Sequence, residues 1–152
     1  MAEGLCLWSE PVRPEWVDYN GHMSEAYYVL VFGHATDALY EHVGMGDAYR
    51  IRSACSLYTV ESHIQYLREV GEGVMLDLET RVLGVDQKRL HFCHRMTSTD
   101  NLLATTELMV VHVDARAGGS VDMTKTDQAC CRDLVTTTPP TWTGRSIRNL
   151  MQ

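Results

Sequence analysis

Residues 18–43 read DYNGHMSEAYYVLVFGHATDALYEHV, and this stretch decides the fold. It begins with a polar turn around an Asn-Gly dipeptide, which is typical of tight turns. A helical pattern follows, for which Ser24 can act as the N-cap and Glu25 suits the first turn. Gly44 comes directly after the stretch and favours the end of a helix. We therefore expect one long helix from about residue 24 to residue 43, entered through a turn.

The helical segment is apolar on more than one face. Apolar and aromatic side chains recur at spacings of three and four: Tyr27, Tyr28, Val31, Ala35, Ala38 and Leu39. Such spacing is that of one face of an α-helix. Val29 and Phe32 add apolar surface away from this face. A helix that is apolar on several faces is usually buried, so we expect this one to be enclosed by the rest of the chain.

After this helix the period of alternation becomes two. Apolar and polar positions alternate over residues 57–67, 74–84, 88–97 and 102–113, which predicts four strands. Along the first of them, one side is expected to carry Tyr58, Val60, Ser62, Ile64 and Tyr66. Residues 5–17 resemble an edge strand that runs into a proline-containing loop.

The element order is a strand, a loop, a long helix and four strands joined by hairpins. A curved antiparallel sheet wrapped around the helix satisfies this order, so the predicted fold class is α+β. We expect a single domain over residues 1–152, with its core at about 5–115. The segment 47–54 is predicted to be an irregular link, and residues 120–152 a tail that lies over the body. A single sheet leaves one face half covered, so we expect edge-to-edge pairing in a homodimer or homotetramer.

Length and composition exclude several classes of protein. The chain has 152 residues, of which 45% are hydrophobic and 22% charged, as in an ordinary globular domain. No apolar run reaches the roughly 18 residues of a membrane span. The first residues lack the basic start of a signal peptide, so we expect a cytoplasmic protein. The five cysteines form no CxxC pair, which disfavours a disulfide framework or a zinc site.

Charge is distributed unevenly along the chain. Lys and Arg number 13 against 20 Asp and Glu, for a net charge of −7. All of this excess lies before residue 77, whereas the second half has nine basic and nine acidic residues and is neutral. An acidic first half disfavours binding to nucleic acid or to an anionic membrane. A basic site for a phosphate-bearing ligand is expected only in the second half.

The turn at residues 18–25 concentrates the side chains that can do chemistry. Unpaired amides at a helix start can polarise a carbonyl group, and Gly21 allows a ligand to approach the backbone closely. The carboxylate of Asp18 could act as a nucleophile or as a base for water. Spacing alone leaves another interpretation open, in which Asp18 and Asn20 only shape the turn and His22 only satisfies a backbone carbonyl.

A resemblance to a known family bears on this choice. Asp18, Gly21, His22 and Met23, followed by a helix with paired aromatic residues, resemble the active-site turn of hotdog-fold acyl-CoA thioesterases of the 4-hydroxybenzoyl-CoA thioesterase-like group. The longer stretch from Asp18 to Tyr28 resembles the betainyl-CoA thioesterases of bacterial carnitine breakdown. The resemblance covers residues 5 to about 115.

The resemblance implies an activity and a set of site residues. It implies acyl-CoA hydrolysis with Asp18 as the catalytic carboxylate, and with Gly21 and the amides after it as the helix start that polarises the carbonyl group. It implies contacts of Lys88 and Arg89 with the coenzyme A phosphates, and no metal or cofactor beyond the coenzyme A of the substrate. Many relatives have Asn where Glu25 stands here. Since another branch of hotdog thioesterases uses a helix glutamate, Glu25 is a second candidate for the catalytic role.

The acyl group is predicted from the residues around the turn. Aromatic faces attract quaternary ammonium groups, and the acidic first half favours a cation. Two groups of residues are expected to bind the substrate. One is the turn residues Asn20, Gly21 and His22, and the other is the aromatic residues Trp8, Trp16, Tyr27 and Tyr28. The best prediction is therefore betainyl-CoA, hydrolysed to glycine betaine and coenzyme A. If the rings are only core or interface, the substrate would be another short-chain or aromatic acyl-CoA.

Two other interpretations are open. A hotdog hydratase fits less well. The corresponding turn of those enzymes has the pattern Asp-x-Asn-Pro-x-His, and no Pro follows Asn20 here. A non-catalytic acyl-CoA-binding module of the same fold has no need of a carboxylate beside a thioester. Turnover or stoichiometric binding of coenzyme A esters would separate enzyme from binding module.

Overall fold

The computed structural model describes residues 4–147 and 150. Its helices and strands follow the predicted order, with four short elements added. In chain order the elements are β1 (Leu5–Pro11), a 3-10 turn (Pro14–Trp16), α1 (Glu25–His42), α2 (Asp47–Ser53), β2 (Cys55–Tyr66), β3 (Met75–Val85), β4 (Arg89–Ser98), β5 (Asn101–Asp114), β6 (Gly119–Ser120) and α3 (Lys125–Arg132). The added elements are the 3-10 turn, α2, β6 and α3. In this part of the chain, no helix is both long and apolar enough to cross a membrane.

The sheet is antiparallel and curls around α1. Its strand order is β1-β3-β4-β5-β2, with β6 paired to β5. Buried residues of α1, among them Val31, Ala35 and Leu39, pack against the inner face of the sheet. The alternation predicted for β3 is confirmed, because Leu76 and Leu78 are fully buried. These features confirm the predicted α+β hotdog architecture.

Helix α1 is less enclosed than its sequence predicts. Val29 and Leu30 remain 48% and 42% exposed, although Val31 between the helix and the sheet is fully buried. The sheet of one chain covers only one side of the helix, so the other apolar side is left uncovered. The residue before the helix, Ser24, stands at the predicted N-cap but makes no side-chain capping bond.

Strand β2 contains a bulge that reverses the predicted side of its first half. Thr59 pairs with Val110 and Glu61 with Met109, so Val60 is an extra residue in the ladder. A bulge of this kind shifts the alternation by one residue. Odd-numbered residues before the bulge and even-numbered residues after it therefore share the side that faces α1. These residues are Leu57, Thr59, Ser62 and Ile64. Tyr58 and Val60, predicted for the same side as Ser62, are largely exposed instead.

The segment predicted as an irregular link forms helix α2. Its Asp47 suits the first turn, and Ala54 ends it in the left-handed conformation with φ of 58°. Tyr49 is buried against the core, and its hydroxyl lies 2.7 Å from Nε2 of His112. Seven residues carry too short a periodic pattern for sequence reasoning, and this tertiary contact stabilises the helix.

The tail lies over the body, as predicted, but it contains helix α3. The side chain of Thr124 caps this helix by accepting a bond from the amide of Asp127. Val135 then forms a parallel bridge with Val82 of β3. This bridge lies on the edge of β3 that β1 occupies, just past the point where β1 begins. Further on, the Gly144 amide donates to buried Glu107 at 2.8 Å. The tail therefore closes one end of the sheet and covers part of its outer face.

His94 is a fully buried, neutral group beneath α1. The hydroxyl of Thr36 donates to the carbonyl of Phe32, so it accepts a bond from Nε2 of His94 at 2.9 Å. The hydroxyl of Thr80 in turn donates to Nδ1 at 2.8 Å. One neutral tautomer thus satisfies both ring nitrogens. Burial lowers the pKa of His94 to about 3.

We expect His94 to make the protein less stable in acid. The unfolded chain takes up this proton near pH 6.5, whereas the folded chain does not, so the stability is complete above that pH and is lost as the pH falls. Through His94, the free energy of unfolding should fall by about 1.4 kcal/mol per pH unit between pH 6 and pH 4. Urea unfolding at several pH values would measure it. In the variant His94→Gln, the free energy of unfolding should depend less steeply on pH, by the amount that one bound proton contributes. Equal slopes in the two proteins would contradict a buried neutral His94.

Candidate active site

The turn before α1 is held by its own backbone. The amide of Asp18 donates to the carbonyl of His22 at 3.1 Å, and the amide of Gly21 donates to the carbonyl of Asp18 at 3.0 Å. The amide of Asn20 donates to Oδ1 of Asp18 at 2.8 Å. Gly21 has φ of 79°, a conformation that favours glycine. Asp18 therefore shapes the turn, as one sequence interpretation allowed, and it does so through a single carboxylate oxygen.

Bonds from both sides fix this turn against the start of α1. The amide of Met23 donates to the carbonyl of Val70 at 2.8 Å, and the amide of Ser24 donates to the carbonyl of Trp16 at 2.9 Å. Val17 and Met23 form an isolated bridge across the base of the turn. Asp18 is thus presented on a rigid turn.

The donors that could polarise a carbonyl group are the first amides of the helix. The resemblance implied this role for Gly21 and the amides after it, and the Gly21 amide itself donates within the turn. Glu25 and Ala26 open α1, and the side chain of Ser24 leaves their amides uncapped. Free amides at a helix start carry a partial positive charge. They can stabilise an oxyanion that develops beside them.

An open cleft of about 760 Å³ joins the carboxylate to this helix start. Its lining includes four of the predicted site residues, namely Asp18, Asn20, His22 and Glu25, and a residue that sequence reasoning missed, Glu69. Glu69 comes from the loop between β2 and β3. Its side chain is 74% exposed, and Oε2 lies 3.3 Å from Nδ1 of His22. The sequence carries no signal for this approach, which depends on the bond between Met23 and the neighbouring Val70.

The aromatic rings predicted to bind substrate do not form a cage at this cleft. Trp16 is buried and stacks on Tyr27 with ring centroids 5.7 Å apart. The guanidinium of Arg13 already lies 5.4 Å from the centroid of the Trp16 ring. Tyr28 is also buried, and its hydroxyl donates to the carbonyl of Arg68 at 2.9 Å. In one chain, Trp16 and Tyr28 belong to the hydrophobic core, and Tyr27 packs against it.

Trp8 lies at a different cavity. Its Nε1 donates to Oε1 of Glu10 at 2.9 Å, and Glu10 also contacts Nδ1 of His34. Trp8 and His34 line a cavity of about 350 Å³ beside the second half of α1. The structure does not bring Trp8 together with Asp18 in one chain.

Lys88 and Arg89 lie at the far end of the sheet from Asp18. Lys88 lies in the turn of the β3–β4 hairpin and Arg89 begins β4, whereas the Asp18 turn contacts Val70 before the start of β3. Both Lys88 and Arg89 donate backbone amides to Asp86, and the Arg89 guanidinium pairs with the same carboxylate at 2.6 Å. Burial would raise the pKa of Asp86, but these bonds hold it below its usual value. A cleft of about 550 Å³ opens beside them.

Comparison with known sequences identifies related enzymes. Residues 12–140 match the family described as the thioesterase-like superfamily. A betainyl-CoA thioesterase from Pseudomonas aeruginosa is 45% identical over 115 residues, which cover 74% of this chain and 72% of that protein. An L-carnitine dehydrogenase/betainyl-CoA thioesterase from Agrobacterium fabrum is 50% identical over 78% of this chain, which spans only 25% of that longer protein.

Comparison with solved structures agrees with this result. A candidate thioesterase from Pseudomonas putida superposes with a TM-score of 0.81 at 35% identity, over 97% of this chain and 98% of that one. A Staphylococcus aureus protein solved in complex with CoA superposes with a TM-score of 0.83 at 26% identity, over 95% of each chain. Because the family match spans most of the sequence and these structures share its fold, the chain belongs to the thioesterase-like superfamily.

Proposed function

We propose that this chain hydrolyses betainyl-CoA to glycine betaine and coenzyme A. One observation carries the proposal: a single cleft holds the Asp18 carboxylate and the uncapped start of α1. The naming of relatives at 45% and 50% identity as betainyl-CoA thioesterases supports the choice of acyl group. The cytoplasmic location stays a prediction.

The proposed reaction uses only the residues of this cleft and water. The amides of Glu25 and Ala26 hold the thioester oxygen as negative charge develops on it. Asp18 attacks the carbonyl carbon or removes a proton from the water that does so. The carbon–sulfur bond breaks, and coenzyme A leaves as a thiolate that takes up a proton. If Asp18 is the nucleophile, water then hydrolyses the anhydride between Asp18 and the acyl group, which releases glycine betaine and restores the carboxylate. No cofactor takes part beyond the coenzyme A of the substrate.

We further propose that two copies pair through the free edge of β2. This edge strand has 12 residues and exposes Tyr58, Val60 and Tyr66, which is a ready template for a second strand. The exposed apolar side of α1, at Val29 and Leu30, needs cover as well. Closed two-fold pairing satisfies both surfaces at once. A homodimer is thus the smallest assembly we propose, and a homotetramer would be built from it.

Such a dimer would also explain the distance between the two sets of predicted residues. Arg89 pairs with Val111, which pairs with Tyr58 near the start of β2. The Asp18 turn lies near the other end of β2, beyond Tyr66. Two-fold antiparallel pairing sets the start of one β2 beside the end of its partner. We therefore propose that the basic hairpin of one subunit serves the Asp18 cleft of the other.

Thiol release from a panel of coenzyme A esters tests the proposed function. We expect the highest kcat/KM with betainyl-CoA, because its relatives are named for that substrate. The comparison esters are acetyl-CoA, a medium-chain acyl-CoA and 4-hydroxybenzoyl-CoA. Preference for one of these would keep the hydrolase and replace the acyl group. Stoichiometric binding without turnover of any ester would favour the binding module.

A further inference from the structure

The loop that brings Glu69 to the cleft has no regular secondary structure. Residues 67–71 lie between β2 and β3 in neither a helix nor a strand. The loop leaves the sheet at Leu67 and Arg68, whose amides donate to the carbonyl of Leu103 at 2.9 and 3.0 Å. Beyond that point its position depends on single contacts with the rest of the chain.

Two carbonyl groups of this loop accept bonds from the segment that opens α1. The carbonyl of Val70 accepts the amide of Met23 at 2.8 Å. Two residues earlier in the loop, the carbonyl of Arg68 accepts the hydroxyl of Tyr28 at 2.9 Å. Met23 precedes α1 and Tyr28 lies at the end of its first turn. The loop is therefore bonded to the chain on both sides of the helix start.

The helix itself brings this hydroxyl to the level of the helix start. Side chains of an α-helix lean toward its N-terminus, so a tyrosine at the end of the first turn reaches back alongside the first residues. The Tyr28 ring is buried and meets the ring of Tyr66 edge to face, with centroids 5.3 Å apart, which fixes its direction. Burial and the charge of Glu69 raise the pKa of Tyr28, so its hydroxyl stays protonated and donates.

Between these two anchors lie the amides that the proposed reaction uses. Glu25 and Ala26 follow Met23 and precede Tyr28, and their amides are the donors proposed for the thioester oxygen. Such donors stabilise a developing negative charge fully only when they are held in place before the reaction. We propose that the Tyr28 hydroxyl is a positioning group, which ties α1 to the loop and so holds these amides against the oxyanion. The inference rests on the proposed function.

Replacing Tyr28 by Phe tests the hydroxyl alone, because the ring and its packing stay. We expect kcat to fall by about tenfold to a hundredfold, since a misplacement of about 1 Å in a reacting geometry costs up to about 10²-fold. We expect KM to stay almost unchanged, because an interaction made only in the transition state lowers kcat and kcat/KM together. Steady-state thiol release, with the coenzyme A ester that the wild type hydrolyses fastest, measures both constants.

A second buried tyrosine supplies the matched control. The hydroxyl of Tyr49 lies 2.7 Å from Nε2 of His112, in the hydrophobic cluster around the other end of α1. Tyr28→Phe and Tyr49→Phe each lose one buried hydrogen bond, so both should melt at a lower temperature. Only Tyr28→Phe should lose kcat. An equal loss of kcat in the two variants would overturn the inference, because any lost buried bond would then suffice.

The carbonyl stretch of a bound ester reports on the amides directly. Hydrogen bonds to a carbonyl oxygen polarise the C=O bond and lower its stretching frequency. An ester labelled with carbon-13 at the carbonyl group and bound to the slow variant Asp18→Asn should show this lowering by infrared difference spectroscopy. Adding Tyr28→Phe should move the band back toward the frequency of the free ester, whereas adding Tyr49→Phe should leave it in place. A band that Tyr28→Phe does not move would overturn the inference, since the amides would then hold the oxygen without the hydroxyl.

The other kinetic outcomes are equally distinct. An unchanged kcat in Tyr28→Phe, with or without a higher KM, would overturn the inference, because the hydroxyl would then have no effect on the reaction step. Failure of the wild type to hydrolyse any ester would reject the proposed function, and the inference with it, before a variant is made. A preference for another acyl group leaves the test valid, because the assay uses whichever ester is hydrolysed fastest.

Discussion

Replacing Asp18 by Asn should lower kcat/KM for betainyl-CoA by about 10²–10⁴-fold, the range that a positioned acid–base group contributes. An amide oxygen at this position can still accept the bond from the Asn20 amide, so the turn before α1 should persist. The loss would therefore report the chemistry of the carboxylate rather than the folding of the site. Steady-state thiol release measures the effect, and an unchanged melting temperature confirms the fold.

Two further variants make this result decisive. Asp133→Asn makes the same chemical change at an exposed position after α3 and should leave activity unchanged. Glu25→Gln tests the competing carboxylate in the same cleft. If Glu25→Gln lost more activity than Asp18→Asn, the catalytic role would belong to Glu25, and Asp18 would be left as a residue that shapes the turn.

Mixing two inactive variants should restore activity if the site is shared between subunits. One variant is Asp18→Asn, and the other combines Lys88→Ala with Arg89→Ala. In a mixed dimer, one of the two sites joins an intact Asp18 from one subunit to an intact basic hairpin from the other. Random mixing makes half of the dimers mixed, so we expect about a quarter of the wild-type activity after unfolding and refolding the two together.

The same mixture tests the alternative arrangement. If each Asp18 used the hairpin of its own chain, every site in every dimer would lack one component, and refolding together would restore nothing. Separately refolded variants, combined only afterwards, supply the baseline. A mass measurement of each variant alone shows whether dimers are present, and a monomer with full activity would contradict the shared site.

The regular parts of the fold were predictable because they are periodic and long. In β3, Leu76 and Leu78 alternate with exposed positions, and this pattern directly reflects one buried face. The bulge at Val60 was not predictable. Its side chain continues the alternation, and only pairing with β5 shows that the ladder has one residue too many. Helix α2 was missed for a similar reason, since burial of Tyr49 rather than periodicity stabilises it.

The same difference between local patterns and long-range contacts applies to the candidate site. The residues from Asp18 to Glu25 are neighbours in the chain, so a local pattern predicted that they meet in space, and they do line one cleft. The sequence predicts Trp8 at that cleft because it is aromatic and near in the chain, yet Trp8 lies at another cavity. Lys88 and Arg89 were placed by resemblance, which contains no information on which subunit they serve.

The sequence by itself determined the long helix, the alternating strands and the turn before α1, because hydrophobic periodicity and turn chemistry act between residues close in the chain. Only the tertiary structure decided that Glu69 lines the same cleft as Asp18, that Trp8 lies at another cavity, and that β2 and one side of α1 are left uncovered. These facts depend on strand register and backbone bonds between distant segments. Such long-range pairing leaves no periodic trace in the residues that it brings together.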